Sequence, residues 1–139
     1  MLRMKRQKIR KRDSISLPDV EKLHAELKDF AAEFDDSDPS WTEVMLDTHI
    51  SNLIDRGTIK ARWWRRNLRL DDAFERILKG HATDDLMERV RMFQDLINDY
   101  RGEPSKEDMV EARDILNELL EELAKYLKEA KKADAEIAK

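Results

Sequence analysis

Cysteine is absent from this chain, which excludes disulfide bonds and thiolate metal sites. Glycine and proline occur three times each, and no window alternates strictly between apolar and polar residues, as a half-buried strand would. No apolar run approaches the roughly 18 residues of a membrane span. The basic N-terminus also lacks the apolar core of a secretory signal. These absences argue against a disulfide scaffold, a sheet protein and any membrane partner.

Motifs that would identify a reaction are missing as well. The chain contains neither a glycine-rich phosphate loop nor a nucleophile elbow. His24 has a glutamate, Glu21, three residues away, but a di-metal bundle needs two such pairs and two further glutamates. His49 and His81 lack that pairing, so we expect all three histidines at the surface. We predict that the protein is not an enzyme and holds neither a metal nor a cofactor.

What the chain does contain is charge and helical periodicity. Charged residues form 42% of its 139 residues and apolar residues 40%, a balance typical of long solvated helices. After a capping box at Ser16 and Asp19, apolar residues recur every three or four positions, at Val20, Leu23, Leu27, Phe30 and Phe34. We predict an all-α fold, a four- to five-helix bundle over residues 15–139, with a basic, flexible N-terminal arm over residues 1–14.

The second predicted helix opens at a capping box formed by Ser40 and Glu43 and ends at Gly57. Its apolar surface is broader than that of the first helix and includes Trp41 and Val44. We therefore expect this helix to be well buried.

The third predicted helix begins at Thr58 and ends before Gly80. It either runs unbroken to Lys79 or breaks between Asn67 and Asp71, where either of those two residues could cap a second piece. The sequence alone does not decide between these two alternatives.

The last two helices are predicted to open at Thr83 and at a capping box of Ser105 and Asp108. The final helix should span about 25 residues. Several apolar residues lie beside its main apolar seam, which suggests contact on two sides. Either this helix is central in the bundle or it associates with copies of the protein. The residues beside the seam are Val110, Ile115, Leu120 and Tyr126.

The positive charges are segregated along the chain. Residues 1–12 carry seven Lys or Arg and no acid, and residues 56–69 carry six and no acid. The rest of the chain has 14 basic against 31 acidic residues, although the overall net charge is only -4. Such segregation bears on the kind of partner a protein binds.

The stretch 56–69, here called the basic segment, is the main candidate for a functional site. On a helix, Arg62, Arg65, Arg66 and Arg69 would share one face, and like charges stacked in this way repel unless a negative partner lies over them. That partner is either a phosphate backbone or the protein's own carboxylates. Candidate phosphate-binding residues in the segment are Lys60, Arg62, Arg65, Arg66 and Arg69, and in the arm Arg3, Lys5, Arg6, Lys8, Arg10, Lys11 and Arg12.

Trp64 and Leu68 lie away from both the predicted core stripe and the arginines. In an isolated bundle they would be exposed, and an exposed Trp–Leu pair is typical of a protein contact. Two hypotheses follow. The preferred one is a non-enzymatic, largely sequence-independent subunit that binds DNA or RNA, in the cytoplasm or within a nucleoprotein particle, with copies of itself or other subunits. The alternative is a protein-interaction or inhibitor module that uses acidic faces and the Trp64/Leu68 patch.

Overall fold

The computed structural model of the chain describes residues 15–60, 68–97 and 104–138, with side chains as far as Lys132. Within these ranges it contains five helices and no strand, which confirms the prediction of an all-α bundle. The helices are α1 (Leu17–Glu33), α2 (Pro39–Asp55), α3 (Leu70–Leu78), α4 (Asp84–Ile97) and α5 (Lys106–Ala138). None of these helices is both long enough and apolar enough to cross a lipid bilayer. The arm, residues 1–14, lies outside the described residues.

Side-chain caps define most of the helix starts. The Ser16 hydroxyl accepts from the Asp19 amide at 3.4 Å, as predicted for α1. At α5 the capping box is reciprocal, because the Asp108 amide donates to Ser105 Oγ at 3.0 Å while the Ser105 amide donates to Asp108 Oδ2 at 3.2 Å. That helix is also longer than expected, with 33 residues, or about 50 Å at 1.5 Å per residue.

The start of α2 differs from the prediction. Its N-cap is Asp38, whose Oδ1 accepts from the Trp41 amide at 3.0 Å, and Ser40 already lies inside the helix. Asp38 is the stronger candidate in retrospect because Pro39, which follows it, has the fixed φ that favours the first helical position.

The turn between α1 and α2 is held by its own polar side chains. Asp35 Oδ1 accepts from both the amide of Ser37 at 2.9 Å and its hydroxyl at 2.6 Å, and these two hydrogen bonds lower the pKa of Asp35. The buried Thr42 hydroxyl donates to the Asp35 carbonyl at 2.9 Å. The turn thus brings the first residues of α2 back against the end of α1.

The long helix α5 packs against both α1 and α4, and this double contact organises the bundle. Arg113, early in α5, reaches Asp36 just beyond α1 at 2.6 Å, whereas Lys131, late in α5, reaches Glu21 early in α1 at 3.1 Å. The two helices are therefore antiparallel. Helix α2 packs against α1 and α4, and α3 packs against α4 and α1.

The apolar residues beside the seam of α5 are largely accounted for by these two neighbours. Ile115 is buried, and Leu120 and Tyr126 are partly buried against the core. Burial also raises the pKa of the Tyr126 phenol above its ordinary value. For these three residues, the two-sided stripe is thus explained by a helix that packs on two others.

The outer face of α2 departs from expectation. Trp41 is 47% exposed and Val44 is 55% exposed, although the second helix was predicted to be well buried. The prediction was wrong because α2 lies at the side of the bundle and buries only the face that carries Leu46, Ile50 and Leu53. Its first turns therefore keep apolar groups in contact with solvent.

Phe30 is the aromatic centre of the core, fully buried between three other rings. Its ring lies edge-to-face with those of Phe34 at 5.9 Å, His49 at 6.0 Å and Phe93 at 6.1 Å between centroids. One side chain thus joins α1 to both α2 and α4. Edge-to-face pairs add to the stabilisation that burial itself provides.

We expect Phe30→Ala to lower the free energy of unfolding by about 3–5 kcal/mol, because it leaves a cavity at the meeting point of three helices. Urea denaturation followed by circular dichroism measures this. The matched control is Met92→Ala on the outer face of α4, where the side chain is 44% exposed and the expected change is within about 0.5 kcal/mol. Equal losses in the two variants would contradict the assignment of Phe30 to the core.

Candidate functional site

The structure describes the two ends of the basic segment. The first end comprises Arg56 to Lys60, and the second comprises Leu68 and Arg69. The predicted site residues between them, Arg62, Trp64, Arg65 and Arg66, lie outside the described residues, as do those of the arm, Arg3, Lys5, Arg6, Lys8, Arg10, Lys11 and Arg12.

The first end folds back on the C-terminus of α2. Gly57 has a φ of 78°, the left-handed conformation that commonly ends a helix, as predicted. The amides of Thr58 and Ile59 both donate to the Leu53 carbonyl, at 2.9 and 3.1 Å, and Ile59 is buried. A helix was expected to begin at Thr58, but residues 58–60 are not helical. That prediction is wrong.

Lys60 continues this end of the segment on the surface. Arg76 of α3 donates from Nη1 to the Lys60 carbonyl at 2.8 Å, which fixes the backbone at the point where the described residues stop. The Lys60 side chain is exposed and makes no ion pair with a carboxylate of the described residues. It is therefore available to an external anion.

The second end of the segment precedes α3 instead of lying within it. Arg69 has an extended backbone and is the N-cap residue, and its amide donates to Asp72 Oδ2 at 3.1 Å. The third predicted helix was expected either to run unbroken to Lys79 or to break between Asn67 and Asp71. The structure agrees with the second alternative, because Arg69 is not helical and α3 starts at Leu70. Asp71, one of the two predicted caps, lies inside α3, and the other, Asn67, lies outside the described residues. Arg69 does not share a helical face with the other arginines, which corrects that prediction.

Leu68 also differs from its predicted role. It is half-buried and packs against the core instead of lying exposed beside Trp64. The reason is the chain direction at this point: Leu70 is almost fully buried at the start of α3, and the extended residues before it pass close over the core.

Two arginines of the segment have carboxylate partners within the protein. Arg56 donates from Nη1 to Glu26 Oε1 at 2.9 Å. Arg69 lies 3.5 Å from Asp95 Oδ1 and 3.9 Å from Asp71 Oδ1. At these two positions the arginines pair with the protein's own carboxylates, which was one of the two alternatives; the other was a phosphate backbone. The Arg69 pairs are long and partly exposed, and pairs of that kind contribute little to stability.

A second polar cluster lies at the interface of α1 and α2, and its role was not foreseen from the sequence. His49 of α2 is bonded through Nδ1 to Glu26 Oε2 at 2.7 Å and through Nε2 to Glu33 Oε2 at 3.1 Å. Asn52 Nδ2 also donates to Glu26 Oε2, at 3.5 Å. Since Glu26 bonds Arg56 through its other oxygen, the cluster reaches the start of the basic segment.

His49 was expected at the surface, and that expectation was wrong. It is 9% exposed and Glu26 only 4%, so both are buried among apolar residues. The two glutamates come from positions seven apart on α1, which places them on one face of that helix, two turns apart. The only signal in the sequence was that Glu26 adjoins Leu27 on the apolar side of α1.

Glu21 and His24 have no third His, Asp or Glu of the described residues arranged with them as a metal ligand. Both line an open groove of about 520 Å³ between α1 and α5 together with Lys128 and Lys131, and Lys131 already pairs with Glu21. Across the described part of the chain, no group of three or more His, Asp or Glu side chains is arranged to hold a metal ion.

Comparisons of the chain with family models, with curated proteins and with solved structures found no match.

We expect Glu26→Gln to lower the free energy of unfolding by about 1–3 kcal/mol, because a buried carboxylate that accepts from three side chains is lost. Urea denaturation at neutral pH measures the change. Glu33→Gln is the matched control: its carboxylate is 47% exposed, and the expected loss is below about 1 kcal/mol. A larger loss for Glu33→Gln than for Glu26→Gln would contradict this order.

Proposed function

We propose that this protein is a non-enzymatic, largely sequence-independent nucleic-acid-binding subunit of a larger nucleoprotein assembly. Arg62, Arg65 and Arg66 contact phosphates, assisted by Lys60, Arg69 and the basic arm. The observation that carries the proposal is the charge segregation: 13 of the 27 basic residues lie in two acid-free stretches of a chain that is otherwise strongly acidic.

Phosphate is the anion that suits this composition best. The guanidinium group is planar and presents paired donors that match two phosphate oxygens, and the segment uses arginine at five of its six basic positions. A nucleic acid offers such oxygens at regular intervals, so binding of this kind needs no contact with the bases. The proposal therefore includes neither base specificity nor a choice between DNA and RNA.

The ion pairs elsewhere in the bundle support an external partner for the segment. Arg89 lies within 3.7 Å of Glu118 and Glu122, and Arg91 lies 3.5 Å from Glu75. Several carboxylates on the acidic faces are thus already partnered by basic residues from outside the segment. They are correspondingly less suited to neutralise Arg62, Arg65 and Arg66.

The anchoring of both segment ends also favours binding. The backbone is held at Lys60 by Arg76 and at Arg69 by Asp72, and Ile59 and Leu68 pack on the core next to these points. Only residues 61–67 lie between the two anchors. A short stretch fixed at both ends has less conformational freedom to lose on binding than a free tail of equal charge.

Arg69 remains part of the proposed surface, although its amide caps α3. Its side chain is 44% exposed, and its pairs with Asp95 and Asp71 measure 3.5 and 3.9 Å. Exchange of such surface pairs for a phosphate costs little. Its substitution would also disturb the start of α3, so it is left unchanged in the experiment below.

We expect the triple variant Arg62→Glu, Arg65→Glu and Arg66→Glu to abolish binding to short single- and double-stranded DNA and RNA while the helical circular-dichroism signal is retained. Fluorescence-anisotropy titrations at 50 and 200 mM salt measure the affinity. For the unmodified protein, three phosphate contacts alone should weaken binding by roughly 40-fold across this range, from a slope of about 0.9 per contact.

The control carries the same change in net charge at other exposed positions: Lys22→Glu, Lys106→Glu and Lys125→Glu. These lysines form no ion pair within the described residues. The control should bind nearly as tightly as the unmodified protein. An equal loss of affinity in both triple variants would mean that binding depends on overall charge and not on the basic segment. Unchanged affinity in the folded arginine variant would refute the proposal.

A second candidate function, a protein-interaction module, is favoured by one observation. Trp41 and Val44 are exposed one turn apart on α2, beside the acidic residues Glu43 and Asp47. Exposed aromatic and aliphatic neighbours are typical of protein contacts. This candidate differs from nucleic-acid binding in its response to salt, because an apolar interface is not weakened by screening.

If α2 binds a second copy of the chain, Trp41→Ala combined with Val44→Ala should turn a concentration-dependent oligomer into a monomer. Sedimentation equilibrium at 50 and 200 mM salt measures this. We expect the association of the unmodified protein to persist at both salt concentrations, and Met92→Ala, a change to another exposed apolar residue, to leave it unaltered. A monomer at all concentrations would exclude self-association through this face.

A further inference from the structure

The imidazole of His49 has a carboxylate oxygen at each of its two nitrogens. Glu26 Oε2 lies 2.7 Å from Nδ1, and Glu33 Oε2 lies 3.1 Å from Nε2. A neutral imidazole carries a hydrogen on only one nitrogen and presents a lone pair at the other. With both carboxylates ionised, neutral His49 would therefore direct a lone pair at a negatively charged oxygen.

We infer that His49 is a protonated imidazolium that bridges Glu26 and Glu33, and that α1 and α2 are joined through this bound proton. The imidazolium form donates from both nitrogens, so each contact becomes a charge-assisted hydrogen bond. The inference concerns the α1–α2 interface and is independent of nucleic-acid binding.

The proton belongs to the imidazole because both carboxylates have reasons to stay ionised. Glu26 accepts from the Arg56 guanidinium at 2.9 Å and from the Asn52 amide at 3.5 Å in addition to His49. Glu33 is 47% exposed, so water solvates its charge. Hydrogen bonds and solvation of this kind favour the charged form of a carboxylate.

Among the described residues, no charged side chain other than Glu26 and Glu33 is hydrogen-bonded to His49. On the α1 side the imidazole also meets the ring of Phe30, at 6.0 Å between centroids. From α4, the other helix packed against α2, no ionisable side chain bonds to the imidazole: Arg89 and Arg91 pair with Glu118, Glu122 and Glu75 instead. The groups that decide the protonation of His49 are therefore Glu26, Glu33 and, through Glu26, Arg56.

The bridge makes the stability of the α1–α2 interface depend on pH. In the folded protein the imidazolium donates two charge-assisted hydrogen bonds, which the unfolded chain lacks. The stabilisation therefore declines as the pH rises and the imidazole loses its proton. It declines again in acid, where the carboxylates become protonated.

Nitrogen-15 NMR of the histidine side chains in the full chain tests the inference directly. At pH 7 we expect both ring nitrogens of His49 to have the chemical shifts of an imidazolium. The half-exposed His24, which has no hydrogen-bonded carboxylate among the described residues, is the internal reference. One protonated and one unprotonated nitrogen in His49 at pH 7 would overturn the inference.

A second experiment measures the consequence for stability. The unfolding equilibrium constant from urea denaturation at pH 6 and pH 8.5 is compared between the unmodified protein and His49→Gln. Because a hydrogen bond to a charged group is lost, the constant of the unmodified protein should rise about tenfold more between the two pH values than that of the variant. His24→Gln is the matched control and should behave as the unmodified protein. Parallel pH profiles for the unmodified protein and His49→Gln would contradict the bridge.

Discussion

The packing of α5 against both α1 and α4 is the contact on which the rest of the bundle depends. Leu116, Leu119 and Leu123 are fully buried along its seam. A helix that buries residues against two neighbours fixes their separation and their direction, since the ridges of one surface must fit the grooves of the next. Helices α2 and α3 then pack on α1 and α4, with Phe30 and Phe93 at the point where the layers meet.

Within this apolar frame the α1–α2 interface contains a polar cluster, formed by Glu26, His49 and Glu33. Buried charged groups destabilise a protein unless every donor and acceptor has a hydrogen-bond partner. Removing one partner from such a cluster lowers stability more than replacing the whole cluster by apolar residues. The same cluster adjoins Arg56, where α2 ends and the basic segment begins. The path of that segment away from α2 is thus coupled to the interface by a hydrogen bond between side chains.

The helical architecture was predictable because it depends on local chemistry. The spacing of Val20, Leu23 and Leu27, the cap at Ser16 and the left-handed glycine at position 57 act within a few residues of each other. The errors in the predicted helix starts occur where local signals compete. Asp38 and Ser40 are both suitable N-caps for α2, and Arg69, which was predicted inside a helix, is the N-cap before α3. In both cases neighbouring residues, Pro39 and Asp72, decided the boundary.

The sequence by itself determined the fold class, most helix boundaries and the segregation of positive charge, since periodicity, caps and charge are all properties of short stretches of chain. Only the tertiary structure decided which side chains are buried together. His49 lies 23 residues from Glu26 in sequence, and the exposure of Trp41 depends on α2 being at the side of the bundle. No local pattern encodes such relations, because they arise from how whole helices pack on one another.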